Sequence, residues 1–250
     1  MIKNSFVFLD KISRQKEQGI WSQGIKDWDS FIFTKSVKGI TQKSKGFYDR
    51  KLIEAEKELH RMNSSFFTNS LPRSEHWRLY DSFKEDAVFL DIETDGRGKY
   101  SDITVMGLFD GIETKTMVRG INFDINKLKQ ELEKYKILVT FNGSCFDIPF
   151  IKKRYFQYNV IPDIPHIDLR FCCSRIGLNH GLKQIERELG IKRKTQELVS
   201  CDAITLWNLY RQTGDSQYLK TLVEYNEEDV INLKKISSVV CERLKEKIMS

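Results

Sequence analysis

The chain has 250 residues, 40% of them hydrophobic and 30% charged, a balance that excludes a disordered protein and suits one sizeable domain with a smaller companion. No run approaches eighteen uninterrupted apolar residues, and the apolar stretch in MIKNSFVFLDKISRQ is too short for a signal peptide or a membrane span, so a soluble, cytoplasmic protein is expected. The net charge of +6 is uneven: residues 1–80 hold 15 Lys and Arg against 9 Asp and Glu, while the remainder holds 26 of each.

From residue 1 to about 70 the pattern is one of short helical pieces broken by glycines. DRKLIEAEKELHRMN carries Leu52, Ile53, Ala55, Leu59 and Met62 at helical spacing. The basic residues are interleaved with aromatics in FVFLDK, IWSQGIKDWDSFIFTKSVK and KGFYDRK. Cations neutralise phosphates and rings stack on bases, so one reading is a nucleic-acid-binding region. The other is a small helical unit with a solvated basic face, in which Trp21, Trp28, Phe31 and Phe33 are core residues. The stretch from Asn63 to Pro72 is the expected boundary, dividing residues 1–70 from 71–250.

Three runs of strand character follow, AVFLDIE, DITVMGLFD and IETKTMVRG, the last two joined across Asp110-Gly111 as a hairpin. DINKLKQELEKYK reads as an amphipathic helix N-capped near Asp124, and ILVTF as a buried strand. Beyond it come the helical DIPFIKKRYFQYN, a short strand in HIDL, then GLKQIERELG, CDAITLWNLYRQTG and a long helix from about Asp215 to Lys247. Three antiparallel strands, a helix, a parallel strand and further helices define an α/β layered domain.

The strand VFLDIETDG poses a physical problem. Side chains alternate along a strand, so Asp91 and Glu93 point the same way with their carboxylates close together. Two like charges repel, and burying either one unpaired costs several kcal/mol. Two further acids lie at element edges. In VTFNGSCFDIPFIKKRY a strand ends in a glycine turn and Asp147 opens a helix, a position that the helix dipole favours for any aspartate. In YNEEDVINL, Tyr225 and Asp229 are four apart and share a helix face. That face continues through Leu222, Val230 and Leu233, which turns Asp229 inward. Four inward carboxylates in a region of zero net charge call for hard cations with oxygen ligands, Mg²⁺ or Mn²⁺. Two such ions about 4 Å apart can activate water and stabilise the leaving oxygen in phosphodiester hydrolysis.

FLDIETDG, FNGSCFDIPFI and YNEEDV together resemble the three motifs of the DEDD 3′–5′ exonucleases, which have a ribonuclease H-like fold. The motifs look most like those of the proofreading domain of family B DNA polymerases and of stand-alone ribonuclease-H-like domain proteins of bacteria and archaea. The resemblance covers roughly residues 85–240, with further agreement in LPRSEHWRLYDSF and in HIDL before GLKQIERELG. The resemblance implies a ribonuclease H-like mixed sheet flanked by helices, acting as a 3′–5′ exonuclease on single-stranded DNA or RNA. It implies that Asp91 bridges two ions, that Glu93 and Asp229 bind the nucleophile-side ion, and that Asp147 holds the second ion through water. Tyr225 matches the tyrosine that orients the attacking water, which places the chain in the tyrosine subgroup. Stand-alone members often open with a phosphate-gripping glycine hairpin. Here LDKISRQKEQGIWSQGIKDWDSF keeps IW…GI…W without the glycine pair.

Asn142 and Phe146, in the turn before Asp147, are candidate substrate contacts. Asp95 reads as a turn residue, with contact to metal or water as the alternative; Asp168 is a candidate fifth acid or a structural residue; and His180 is part of a helix-capping neighbourhood. The five cysteines show no C-x-x-C spacing and indicate neither a zinc site nor a disulfide framework. Two alternatives stand beside the exonuclease: a non-catalytic nucleic-acid-binding module, and a structure-selective endonuclease on the same fold. The tyrosine motif disfavours the endonuclease, and the complete set of four acids plus Tyr225 argues against a relic site.

Overall fold

The computed structural model describes residues 1–96, 98, 101–195 and 202–249. It divides into two compact units, one of residues 1–84 with 163–166 and one of residues 85–162 with 167–250. The division falls at 84/85 and not in the stretch from Asn63 to Pro72, because LPRSEHWRLYDSF folds into the first unit. Leu71, Trp77, Leu79, Tyr80 and Phe83 are all buried.

The first unit contains α1 (Arg14–Trp21), α2 (Trp28–Phe33), α3 (Gln42–His60), α4 (Ser65–Ser70) and α5 (Tyr80–Phe83), with 3₁₀ turns at Ile2–Asn4 and Arg73–Leu79. Ser13, Asp27 and Thr41 cap the first three helices by accepting backbone N–H groups, as small polar N-caps do. Most of the aromatic residues form its core. Trp21 and Trp28 are buried and donate their indole N–H groups to the carbonyls of Asn4 and Ser5 at 2.9 and 2.7 Å. The Phe6 and Phe31 rings lie 5.3 Å apart. These rings are withdrawn from any base-stacking role. Phe33, expected in the core on the packing view, is instead 85% exposed. A buried ion cluster ties the unit together: Arg78 donates to both oxygens of Glu17 at 2.9 Å and to Glu75 at 2.5 Å, and Arg14 reaches Glu75 from the surface.

The second unit is built on a five-stranded mixed sheet in the order β3-β2-β1-β4-β5. Its strands are β1 (Ala87–Thr94), β2 (Ile103–Phe109), β3 (Thr114–Val118), β4 (Ile137–Thr140) and β5 (His166–Asp168). β1 runs antiparallel to β2 and parallel to β4. The hairpin between β2 and β3 turns at Asp110-Gly111 as expected, with the Asp110 carboxylate accepting from the N–H groups of Ile112 and Glu113 at 2.9 Å. The helices are α6 (Ile125–Leu132), α7 (Asp147–Arg154), α8 (Leu169–Arg175), α9 (Leu182–Glu188), α10 (Ala203–Thr213) and α11 (Ser216–Met249). Asp124 caps α6 by accepting from Asn126 and Lys127. α11 packs across β1 and β2, and its Leu222, Val230, Leu233, Ile236 and Val240 are all buried. Leu222 also joins Val105, Val118, Leu206 and Trp207 in one core cluster.

Among the described residues no helix is long and apolar enough to cross a membrane. The four described cysteines are not in disulfides; Cys201, at the start of CDAITLWNLYRQTG, lies outside the described residues.

Candidate active site

The acids of β1 sit where the sheet stops protecting them. Pairing with β4 ends at Phe89↔Val139, and the register with β2 shifts between Glu93 and Thr94. Beyond Phe89 the edge of β1 facing β4 is therefore open. The Asp147 carboxylate fills part of it, accepting the Ile92 N–H at 3.0 Å. This brings an acid from the start of α7 against the backbone between Asp91 and Glu93. Asp229 arrives from α11. Ligand oxygens of Asp91, Glu93 and Asp229 lie within 4.8 Å of one another, while Asp147 stands outside that triad.

The electrostatics match the crowding. Burial first, then the charges of Asp147, Glu93 and Asp229, hold the Asp91 carboxyl well above the usual carboxylate range. Burial followed by the charges of Asp229 and Asp147 pushes Glu93 up to about 8. Burial raises Asp147 to about 7 and Asp229 to about 6, the latter held down by Arg193. The Tyr225 hydroxyl, one turn before Asp229, is raised by burial and then by the charges of Asp229 and Glu93. A set of mutually repelling carboxylates on three elements, with ligand oxygens of three of them within 4.8 Å of one another, fits a divalent cation with oxygen ligands. Asp91, Glu93 and Asp229 would hold it.

The turn before Asp147 is positioned by Asp168, the N-cap of α8. Its carboxylate accepts from the N–H groups of Asn142 (2.8 Å), Ser144 (2.9 Å) and Arg170 (3.1 Å). Asp168 thus organises this turn, and Asp95 accepts from the Asp102 N–H and from Arg119. Asn142 adopts a left-handed φ of 65°, and its side-chain oxygen accepts from Arg170 at 2.7 Å. Gly143 has no room for a side chain, since a Cβ there would lie 2.1 Å from Thr140 Oγ1. Phe146, next to Asp147, is partly exposed, with its ring 5.8 Å from that of Phe150.

Three contributors were not singled out from the sequence. Asn226 is fully buried and donates to Asp91 Oδ2 at 2.8 Å. Its signal was present, because Leu222, Asn226 and Val230 recur every fourth residue, which places a polar group on the buried face of α11. Gly107 lies opposite Asp91 in the ladder, and a Cβ there would lie 2.2 Å from Asn226 Oδ1. Arg193 pairs with Asp229 at 2.5 Å. The Arg193 guanidinium and the Lys183 ammonium also lie 5.2 and 4.5 Å from the centre of the Tyr225 ring.

A family model described as the RNase_H superfamily matches residues 88–241, the span that carries this site and its sheet. The chain belongs to the RNase H superfamily. Among solved structures it is similar to the family B DNA polymerase of the hyperthermophilic archaeon Pyrobaculum calidifontis, with a TM-score of 0.48 and 13% identity over 65% of this chain and 25% of that one. It is also similar to Escherichia coli RNase D, an exoribonuclease involved in structured RNA processing, with a TM-score of 0.46 and 16% identity over 71% of this chain and 45% of that one. The chain spans under half the length of either. No curated protein matches it.

Proposed function

We propose that this protein is a metal-dependent 3′–5′ exonuclease that hydrolyses phosphodiester bonds at the ends of single-stranded DNA or RNA. One observation carries the reading: Asp91, Glu93 and Asp229 converge within 4.8 Å, with Tyr225 one helical turn before Asp229. Two Mg²⁺ or Mn²⁺ ions bound there would activate water and neutralise charge at the leaving oxygen. The chain's own residues supply the rest. Asp91, steadied by Asn226, and Glu93 present ligand oxygens from one strand face, and Asp229 presents a third from α11. Asp147, tied to the Ile92 N–H, adds negative charge on the β4 side, where the resemblance gives it a water-mediated role. The Tyr225 hydroxyl stays protonated, so it can donate to an attacking or leaving oxygen. Phe146 offers a partly exposed ring for a terminal base, and Asn142, with its oxygen held by Arg170, keeps an amide donor for substrate.

The test uses DNA and RNA oligonucleotides labelled at the 5′ end, incubated with Mg²⁺, with Mn²⁺ or with excess chelator. The expected result is a descending ladder that requires the cation and is abolished by Asp91→Asn. Immediate release of the 5′ nucleotide would establish the opposite polarity, and cutting of a closed circle an endonuclease. Binding without cleavage in every cation would leave the non-catalytic module, and undiminished cleavage in chelator would overturn the metal mechanism.

A further inference from the structure

The carboxylate site contains a cation of its own. Arg193 is 4% exposed at its side chain, and its Nη2 lies 2.5 Å from Asp229 Oδ1. The contact is thus a short charge pairing between two buried side chains. The other end of the guanidinium is moored: Nη1 donates to both oxygens of the fully buried Glu186, at 3.0 and 2.9 Å. Glu186 is itself fixed by the Asn232 amide at 2.9 Å. The chain around Arg193 is bound to α11 as well, since Glu228 accepts from the N–H groups of Lys194 and Thr195. Arg193 is therefore built into the site and not a surface group resting against it.

We propose that Arg193 is the internal counter-ion of the site, a positioning residue that offsets Asp229 when no metal is bound and lowers the site's affinity for divalent cations. This rests on the metal-dependent reading above. A fixed positive charge against one ligand repels a dication on the others, and does so more strongly in a buried site than in water. A second possible role, in which Arg193 only holds the Asp229 carboxylate in shape for the metal, has the opposite sign, because loss of the clamp would then weaken metal binding.

The test is Mn²⁺ titration of the full chain, followed by electron paramagnetic resonance of free Mn²⁺ and by calorimetry, without nucleic acid. Arg193→Gln should bind Mn²⁺ at least roughly tenfold more tightly than the wild type, since the repulsion is removed while all the acids remain. Arg193→Lys, which keeps the charge and loses the fork, should restore the wild-type affinity to within about threefold. Glu186→Gln with Arg193→Gln replaces the buried ion pair by two amides and carries the test should the single variant not fold. Its gain should be about threefold or more, because the charge nearest Asp229 is gone although Glu186 is neutralised with it. Unchanged or weaker Mn²⁺ binding in the neutral variants overturns the counter-ion role alone. Absence of Mn²⁺ binding by the wild type overturns the metal reading and this inference with it.

Discussion

Gly107→Ala places one methyl group at the point where α11 meets the sheet beside Asp91. The new Cβ would lie 2.2 Å from Asn226 Oδ1, 3.1 Å from its Cγ and 3.3 Å from a Val230 methyl. None of these has free space to retreat into, since Asn226 and Val230 are both fully buried. Overpacking of a tight core costs roughly 1–3 kcal/mol. The forced movement of Asn226 also weakens its 2.8 Å bond to Asp91, and a hydrogen bond of this kind is worth about 0.5–1.5 kcal/mol. The expected loss is about 1.5–4.5 kcal/mol, or roughly 3–18 °C in melting temperature for a chain of this size. Cleavage should fall with it, because Asp91 loses its fixed orientation. The assay is urea denaturation of Gly107→Ala, Asn226→Ala and the double variant. Asn226→Ala clears the space that the methyl needs, so the double should be more stable than the sum of the singles by about 1 kcal/mol or more. A Gly107→Ala protein within about 0.5 kcal/mol of the wild type, with strictly additive singles, would refute the claim that this glycine sets the approach of α11.

Tyr225→Phe should retain Mn²⁺ binding and slow cleavage by roughly one to three orders of magnitude, the range for losing one hydrogen bond to water or the transition state; inactivity equal to that of Asp91→Asn would give the hydroxyl a larger part. Glu93, Asp147 and Asp229 are raised to about 8, 7 and 6, so the metal-free fold holds protons that the unfolded chain has released. Their contribution to stability is full below about pH 4 and is lost as pH rises towards about 8, with a slope of about 1.4 kcal/mol per pH unit for each proton. Urea midpoints in chelator should therefore fall across this window while those in saturating Mn²⁺ fall less, and parallel curves would contradict the assignment. Arg78→Ala in the first unit leaves Glu17 and Glu75 buried without their shared guanidinium and should cost about 3–5 kcal/mol, measured by chemical denaturation. A cost under about 1 kcal/mol would show the cluster to be solvated.

The sequence determined what local periodicity encodes. The three strands with their Asp-Gly hairpin, the Asp124-capped helix and the long last helix all form as expected, because strand alternation, turn chemistry and helical spacing are properties of neighbouring residues. Alternation alone put Asp91 and Glu93 on one face, and spacing alone turned Asp229 inward beside Leu222, Val230 and Leu233. The tertiary structure decided whatever depends on which segments meet. A guanidinium in KRKTQ is buried against Glu186 and Asp229 because its partners lie on α9 and α11, and no local pattern marks that choice. Gly107 looks like an ordinary strand residue until α11 lies against it with Asn226 in the space of the missing side chain. The aromatics of the first unit read equally well as stacking platforms or as core, since composition carries no direction. The fold turned Trp21, Trp28 and Phe31 inward and Phe33 outward, because burying apolar rings is favourable wherever neighbouring helices can enclose them.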